Sequence, residues 1–209
     1  MQTLAYRPEW TQSVKQWALD GQTVFYGDEE CQQVGKEKKF PAIIDTGSSN
    51  IGVPGPIYSF LKEKWFKAVD KLDCITDDNF CQVMTPCAVV SKQLKPLVFH
   101  ISGQAFELKP DLYLHQAEGN KCQFAIHQNE LKGSSSGLFL IGDVILRHLY
   151  QVYDFENETI SLGVNTHSQN DFMMYPIGQR PEEAPKLNIE QILASPEVEA
   201  RMDTASRFV

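Results

Sequence analysis

The residues with the clearest capacity for chemistry are Asp45, Thr46, Gly47 and Ser48, which directly follow the apolar run 42–44. An apolar strand can hold a carboxylate rigidly at its end, and Gly47 lets backbone amides approach that carboxylate because glycine has no Cβ. Ser48 can donate a hydrogen bond to the outer carboxylate oxygen. Two carboxylates that share one proton can activate water, because close like charges push their pKa values apart. The motif occurs once in this chain, so a second carboxylate is expected from elsewhere.

The alternative for this segment is an ordinary turn after a buried strand. Aspartate and glycine are common turn residues, so Asp-x-Gly alone carries almost no information. Two apolar residues followed by Asp-Thr-Gly-Ser should occur by chance in roughly one chain per thousand of this length. The complete string therefore favours catalysis, and any residue with a Cβ at Gly47 is expected to crowd the site.

Short strands are expected to position these residues, since most of the first 165 residues shows strand patterns separated by turn residues. Asp20-Gly21 and Ser102-Gly103 each predict a tight hairpin, because such dipeptides tolerate positive φ. The predicted strands cover residues 14–19, 23–26, 40–45, 97–101, 104–108, 112–114, 123–127, 138–141, 150–154 and 159–162.

Two short helices are expected to interrupt the sheet. Pro54-Gly55-Pro56 precedes apolar residues at helical spacing from Ile57 to Val69, and proline suits a first helical turn because it lacks an N–H. A second helical turn is predicted after Gly142, with the Asp143 carboxylate as its cap and not as a catalyst. The fold class predicted is all-β, a sandwich or barrel with two short helices.

Composition argues against binding to nucleic acid or to an anionic membrane surface. The 209 residues include 19 Lys and Arg against 27 Asp and Glu, which gives a formal charge of −8, and both partners would require a basic face. No stretch of eighteen apolar residues predicts a membrane span, and residues 1–10 lack the apolar core of a signal peptide. These features fit a cytosolic protein or the downstream part of a longer secreted precursor.

Five cysteines favour structural disulfides over a metal site. Cys74, Cys81 and Cys87 lie within fourteen residues, but their spacing matches neither zinc knuckles nor a redox dithiol motif. No metal site is expected from the five histidines either, because two lie in apolar strand patterns and three have no Cys, Asp or Glu at metal-ligand spacing. Asn157 begins an Asn-Glu-Thr sequon in a predicted turn and is therefore a candidate for glycosylation.

A second motif lies at residues 138–154. An apolar pair is followed there by Gly142 and Asp143, then by an apolar segment with helical spacing and by a closing strand. Together with the Asp45 motif, it closely resembles the C-terminal lobe of pepsin-like (family A1) aspartic proteases. The resemblance covers about residues 5–165. It implies an acid protease lobe of orthogonally packed, barrel-like sheets and a reaction that needs no cofactor.

The resemblance implies a role for each matching residue. Asp45 would be the second catalytic aspartate, and Thr46 would brace it from beneath. Gly47, Ser48 and Ser49 would border the substrate backbone. Ile43 would line or support the cleft, although a plain core position is an equal alternative, as it is for Leu138 and Leu140.

The resemblance also implies two disulfides, Cys87 with Cys122 and Cys74 with Cys81. Cys31 departs from the pattern, because many relatives have a close cysteine pair just before the catalytic strand. Disulfides and the sequon together favour the secretory pathway, with a lysosome-like or vacuole-like acidic compartment or the extracellular space as the destination.

The domain organisation expected is a C-terminal protease lobe over residues 1–165 and an extension over residues 166–209. This extension is expected to be partly helical or disordered, and it could be docked on the lobe. The lobe would hydrolyse peptide bonds in proteins or peptides only with an N-terminal lobe that bears the first aspartate. One alternative is a homodimer of the retroviral type, in which two copies of Asp45 meet. The other is a non-catalytic lobe that binds peptides or a protein partner.

Overall fold

The computed structural model describes residues 2–5, 18–31, 40–75, 80–129, 137–168 and 171–181. Strands dominate this part of the chain, and the all-β class predicted from the sequence is confirmed. The strands are β1 (Gln2–Ala5), β2 (Ala18–Tyr26), β3 (Glu29–Glu30), β4 (Phe40–Ile44), β5 (Ile51–Val53), β6 (Asp73–Ile75), β7 (Phe80–Val83), β8 (Leu97–Ile101), β9 (Gln104–Leu108), β10 (Leu114–Gln116), β11 (Cys122–Gln128), β12 (Phe139–Ile141), β13 (Leu149–Asp154), β14 (Thr159–Val164) and β15 (Phe172–Pro176).

Two sheets organise these strands. The larger sheet has the order β15-β9-β8-β2-β4-β12-β5-β11-β7-β6, with β10 beside β11 and β3 beside β2. The smaller sheet has the order β1-β14-β13. Most neighbours are antiparallel, but β12 pairs parallel with β4, and β11 pairs parallel with β5. The parallel pairs lie at the centre of the larger sheet and join segments that are far apart in sequence.

The α-helices are α1 (Gly55–Phe60), α2 (Cys87–Val90) and α3 (Asp143–Leu146). The helix predicted to start at Pro54-Gly55-Pro56 is present, and it continues from α1 through a π-helical turn, Leu61–Trp65. Ile57, Leu61 and Trp65 are buried at the four-residue spacing that covers one helix face. None of the helices in the described ranges is long and apolar enough to cross a membrane.

The hairpin predicted at Asp20-Gly21 is wrong, because β2 runs through it as one strand of nine residues. Gly21 instead allows β2 to lie close to Phe40 and Phe139, where a side chain would not fit. A Cβ there would overlap the backbone oxygen of Phe40 and lie 2.8 Å from Cδ2 of the Phe139 ring. The hairpin at Ser102-Gly103 is confirmed, since β8 and β9 pair around it and both residues have positive φ, 47° and 79°.

The strand predicted over residues 112–114 is also misplaced. Pro110–Leu112 forms a 3₁₀ turn, and β10 begins only at Leu114. Proline fixes the φ that begins such a turn and has no N–H for a sheet. Residues 14–17 of the first predicted strand lie outside the described residues.

The chain beyond residue 165 contributes a strand to the larger sheet. β15 pairs antiparallel with β9, so that Phe172 lies opposite Leu108 and Pro176 opposite Gln104. The predicted boundary between residues 165 and 166 remains a prediction, and residues 182–209 of the predicted extension lie outside the described residues.

Two disulfides cross-link the fold, Cys74–Cys81 between β6 and β7 and Cys87–Cys122 between α2 and β11. These are the pairs implied by the resemblance. Cys31 is buried and forms neither disulfide, and its backbone N–H donates to the Val24 carbonyl.

The two disulfides are expected to contribute unequally to stability, because they close loops of different length. Their sequence separations are 7 and 35 residues, for which loop-closure entropy gives about 2.4 and about 3.8 kcal/mol. The double variant Cys87→Ala/Cys122→Ala should therefore lose about one and a half times the free energy of unfolding that Cys74→Ala/Cys81→Ala loses. Urea unfolding of both variants measures this, and equal or reversed losses would contradict it.

Candidate active site at Asp45

Asp45 lies at the end of the central strand pair. β4 pairs in parallel with β12, with Ile43 opposite Leu140 and Ile44 opposite Ile141. The backbone N–H of Asp45 donates to the Ile141 carbonyl at 3.0 Å. This bond extends the strand pairing by one residue, so the Asp45 backbone is fixed before its side chain leaves the sheet.

The Asp45 carboxylate accepts one hydrogen bond at each oxygen from the loop that follows it. The Gly47 N–H donates to Oδ1 at 3.0 Å, and the Ser48 hydroxyl donates to Oδ2 at 2.6 Å. The Ser48 contact is the one that the sequence predicts. Because Asp45 remains partly exposed, its two oxygens are oriented and also open to solvent or to another group.

Gly47 leaves little room beside this carboxylate. A Cβ at Gly47 would lie 3.2 Å from Asp45 Oδ1, which is closer than ordinary van der Waals contact between these atoms. The Asp45 side chain would have to shift by a few tenths of an ångström to accept it. The crowding expected from the sequence is thus a tight contact and not an overlap.

The first turn of α3 holds the loop from the other side. The Asp143 N–H donates to the Ser48 carbonyl at 2.8 Å, and the Val144 N–H donates to the Ser49 carbonyl at 3.1 Å. A Cβ at Gly142 would overlap the backbone oxygens of Ser48 and Asn50. Helix N–H groups that lack partners within their own helix therefore bind the loop that carries the carboxylate.

The prediction that the Asp143 carboxylate caps α3 is wrong. Gly142 occupies the N-cap position, and the start of the helix has no side-chain cap hydrogen bond. Asp143 is exposed in the first turn. The physical reason is that carbonyl groups of Ser48 and Ser49 already accept from the first N–H groups of the helix.

The other residues implied by the resemblance surround Asp45. Thr46 and Ser49 are exposed. Ile43 is buried and packs with Ala18 and Leu138 in a small cluster, against which Leu140 also packs. The roles of Thr46 as a brace and of Ser49 and Ile43 as substrate contacts remain predictions.

Two residues near the site were missed as functional positions by sequence reasoning. Gly142 belongs to the second motif, but nothing in that motif indicates that its contact with residues 48–50 requires a glycine. Asn129 is buried, its side-chain amide donates to the Leu138 carbonyl at 3.1 Å, and its backbone N–H donates to the Val53 carbonyl at 2.8 Å. Asn129 thus joins β5 to the segment that leads into β12, and a lone asparagine gives no sequence signal for this.

Asn157 lies in an exposed turn between β13 and β14. Its side-chain amide donates to Asp154 Oδ2 at 2.7 Å, and its backbone N–H donates to Asp154 Oδ1 at 2.9 Å. These hydrogen bonds lower the pKa of Asp154, because they stabilise its ionised form. Glycosylation at Asn157 remains a prediction.

The chemistry available at this site is that of an oriented carboxylate. Within the described ranges, no group of three or more His, Cys, Asp or Glu residues is placed to hold a metal ion. One carboxylate can accept a proton from water, but a second acid is needed to polarise the reacting carbonyl at the same time. Hydrolysis by two carboxyl groups that share a proton would therefore need a second carboxyl group close to Asp45.

Comparison with known proteins identifies relatives of this chain. The profile of the family described as eukaryotic aspartyl protease matches residues 3–165. Gastricsin from Macaca fuscata fuscata is 28% identical over 152 residues, which are 72% of this chain and 35% of that protein. Pepsin A from Bos taurus is 26% identical over 153 residues, 73% of this chain and 36% of that protein. The chain thus spans about a third of the length of these relatives.

A solved structure has a similar fold. The crystal structure of an aspartic proteinase from Irpex lacteus has a TM-score of 0.60 and 16% sequence identity. The match covers 78% of this chain and 46% of that one. At this identity, the similarity concerns the fold alone, and it agrees with the pepsin-like lobe expected from the sequence.

We expect Gly142→Ala to destabilise the chain by about 3 kcal/mol, because the added Cβ meets backbone oxygens that cannot rotate away. Gly137→Ala is the matched control. A Cβ at Gly137 would make only an ordinary contact, 3.5 Å from the Phe40 ring, and its effect should stay within about 0.5 kcal/mol. Urea unfolding of both variants tests this, and equal stability of the two would contradict the proposed constraint.

Proposed function

This chain belongs to the eukaryotic aspartyl protease family, and we propose that it is the C-terminal lobe of an aspartic endopeptidase in which Asp45 is one of two catalytic aspartates. The second aspartate comes from an N-terminal lobe. The observation that carries the proposal is the Asp45 carboxylate, fixed at a strand end, hydrogen-bonded at both oxygens and partly exposed.

The mechanism rests on one proton shared by two adjacent carboxyl groups. Close like charges cannot both be ionised at low cost, so one group stays protonated. The ionised carboxylate removes a proton from a bound water, and the protonated partner polarises the scissile carbonyl. The tetrahedral intermediate collapses when a proton is transferred to the leaving nitrogen. The hydrogen bonds from Gly47 and Ser48 keep the Asp45 oxygens oriented through these steps.

The N-terminal lobe would extend the smaller sheet at β13. Among the described strands, β13 is at the edge of its sheet and pairs only with β14. Tyr150 and Val152 point to one face of this strand with 67% and 43% of their surface exposed. An edge strand with exposed apolar side chains invites pairing with another chain segment, which supports a partner lobe at this position.

The substrate proposed is a peptide or protein segment that lies across Asp45. Gly47, Ser48 and Ser49 would border its backbone, and Ile43 would support the cleft beside it. Two disulfides favour an oxidising compartment, so we place the enzyme in the secretory pathway, with an acidic compartment or the extracellular space as its destination.

The purified 209-residue chain is expected to show no peptide cleavage between pH 3 and pH 7, because one carboxyl group cannot supply both acid and base. Cleavage of a fluorogenic peptide library, measured together with size in solution, tests this. An active symmetric dimer would contradict the two-lobe proposal and support the homodimer, in which two copies of Asp45 meet.

The complete enzyme is expected to depend on Asp45. The segment encoded upstream of Met1 should contain a second Asp-Thr-Gly or Asp-Ser-Gly, and the joined protein should cleave peptides. In that protein, Asp45→Asn should lower kcat/KM at least about 10³-fold. The exposed Asp70→Asn is the matched control, with activity unchanged. If the joined protein binds peptides without cleaving them, the lobe is a binding module and the catalytic proposal fails.

A further inference from the structure

The chain after the family match forms a strap on the lobe. We define the C-terminal strap as residues 165–168 and 171–177, which lie beyond or at the end of the matched residues 3–165. β15 lies within it and pairs with β9 over five residues. The Lys109 ammonium lies 3.7 Å from the Asp171 carboxylate, and the Ile177 N–H donates to the Gly103 carbonyl.

One histidine of the lobe contacts the strap at two points. His148 lies between α3 and β13, and its Nδ1 is 2.8 Å from the Ser168 hydroxyl. Its ring stacks on Phe172, the first residue of β15, with centroids 5.7 Å apart and planes inclined by 12°. Phe172 is fully buried. Displacement of the His148 ring would therefore disturb both the turn that ends at Ser168 and the start of β15.

The second nitrogen of His148 has no partner in the described part of the chain. Nε2 is buried and makes no hydrogen bond there. In a neutral ring, Nε2 then lacks one hydrogen bond, as an uncharged donor or acceptor. In a protonated ring, Nε2 is a charged N–H without an acceptor. A buried charge without a hydrogen bond is much more costly than a buried neutral group.

We propose that His148 is an acid-sensitive latch that holds the C-terminal strap on the lobe and loosens it when the ring is protonated. The neutral ring keeps the Ser168 hydrogen bond and the Phe172 contact without a buried charge. The protonated ring gains hydration if the strap moves away. This inference does not depend on catalysis at Asp45.

The charges around the ring agree with this direction. Burial lowers the pKa of His148 below its ordinary value of 6.5, and Arg147 beside it lowers the pKa further. Asp171 on the strap and Asp143 on α3 have the opposite effect but are weaker causes. The Asp171 carboxylate also faces a positive charge, since the Lys109 ammonium lies 3.7 Å from it.

The sign of the pH dependence follows from this lowered pKa. The docked form binds fewer protons than the loosened form, so it has its full stability above about pH 6.5 and loses stability as the pH falls toward the pKa of the docked ring. As the pH falls from about 6.5 to the pKa of the docked ring, the ratio of loosened to docked strap should rise by up to about tenfold for each pH unit.

Methionine methyl signals can report the strap directly. Met174 packs against the main core and Met173 against a cluster that contains Tyr175, whereas Met84 is 76% exposed. In the full chain labelled with [methyl-¹³C]methionine, the Met173 and Met174 signals should move toward random-coil positions between pH 7.5 and pH 4.5. The Met84 signal should not move, and circular dichroism should show that the lobe remains folded.

The variant His148→Gln keeps a polar side chain that does not titrate, and it should remove this pH dependence. His115→Gln, at an exposed position on β10, is the matched control and should retain it. The Tyr175 hydroxyl of β15 also donates to the buried Glu107 side chain at 2.7 Å. An acid response that survives His148→Gln would arise from a group other than His148 and would overturn the proposal. Loss of circular dichroism in parallel with the methyl shifts would overturn it too.

Titration of the His148 ring in the wild-type chain provides a second test if the variant does not fold. The ring signal, assigned through its nuclear Overhauser contact with Phe172, should titrate below pH 6.5, the ordinary midpoint of a histidine. A midpoint at or above 6.5 would overturn the proposal, because the ring would then have no preference for the neutral form.

Discussion

The close approach of Gly142 to the backbone of residues 48–50 is the constraint on which the candidate site depends. No side chain fits between these two segments, so the turn before α3 and the loop after β4 have a fixed separation. At that separation, the Asp143 and Val144 amides reach the carbonyls of Ser48 and Ser49. The loop is then held in the conformation from which Gly47 and Ser48 donate to Asp45.

The core and the Asp45 loop are stabilised in different ways. Side chains of the lobe fill the core, whereas the loop that carries Asp45 is positioned almost entirely by backbone groups. Backbone hydrogen bonds place a group without using side chains, which leaves the neighbouring Thr46 and Ser49 exposed. The backbone around the carboxylate is therefore held by hydrogen bonds, while Asp45 itself stays partly exposed.

The sequence predicted features that depend on local pattern or on a whole family motif. The helix after Pro54, the hairpin at Ser102-Gly103 and the protease family are confirmed. Gly21 was misassigned because a glycine required for close contact between strands looks, in sequence, like a glycine required for a turn. The capping role of Asp143 failed for a related reason, since the acceptors for the helix N–H groups lie almost a hundred residues earlier. Partners so distant leave no local signal.

The parallel pairing of β4 with β12 also determines when the site can form. Nearly a hundred residues separate Ile43 from its neighbour Leu140, and the ordering of so long a segment costs entropy before the contact stabilises anything. During synthesis, the Asp45 loop therefore stays without its supporting helix until residues 139–146 have left the ribosome. The carboxylate is thus made well before the segment that sets it in place.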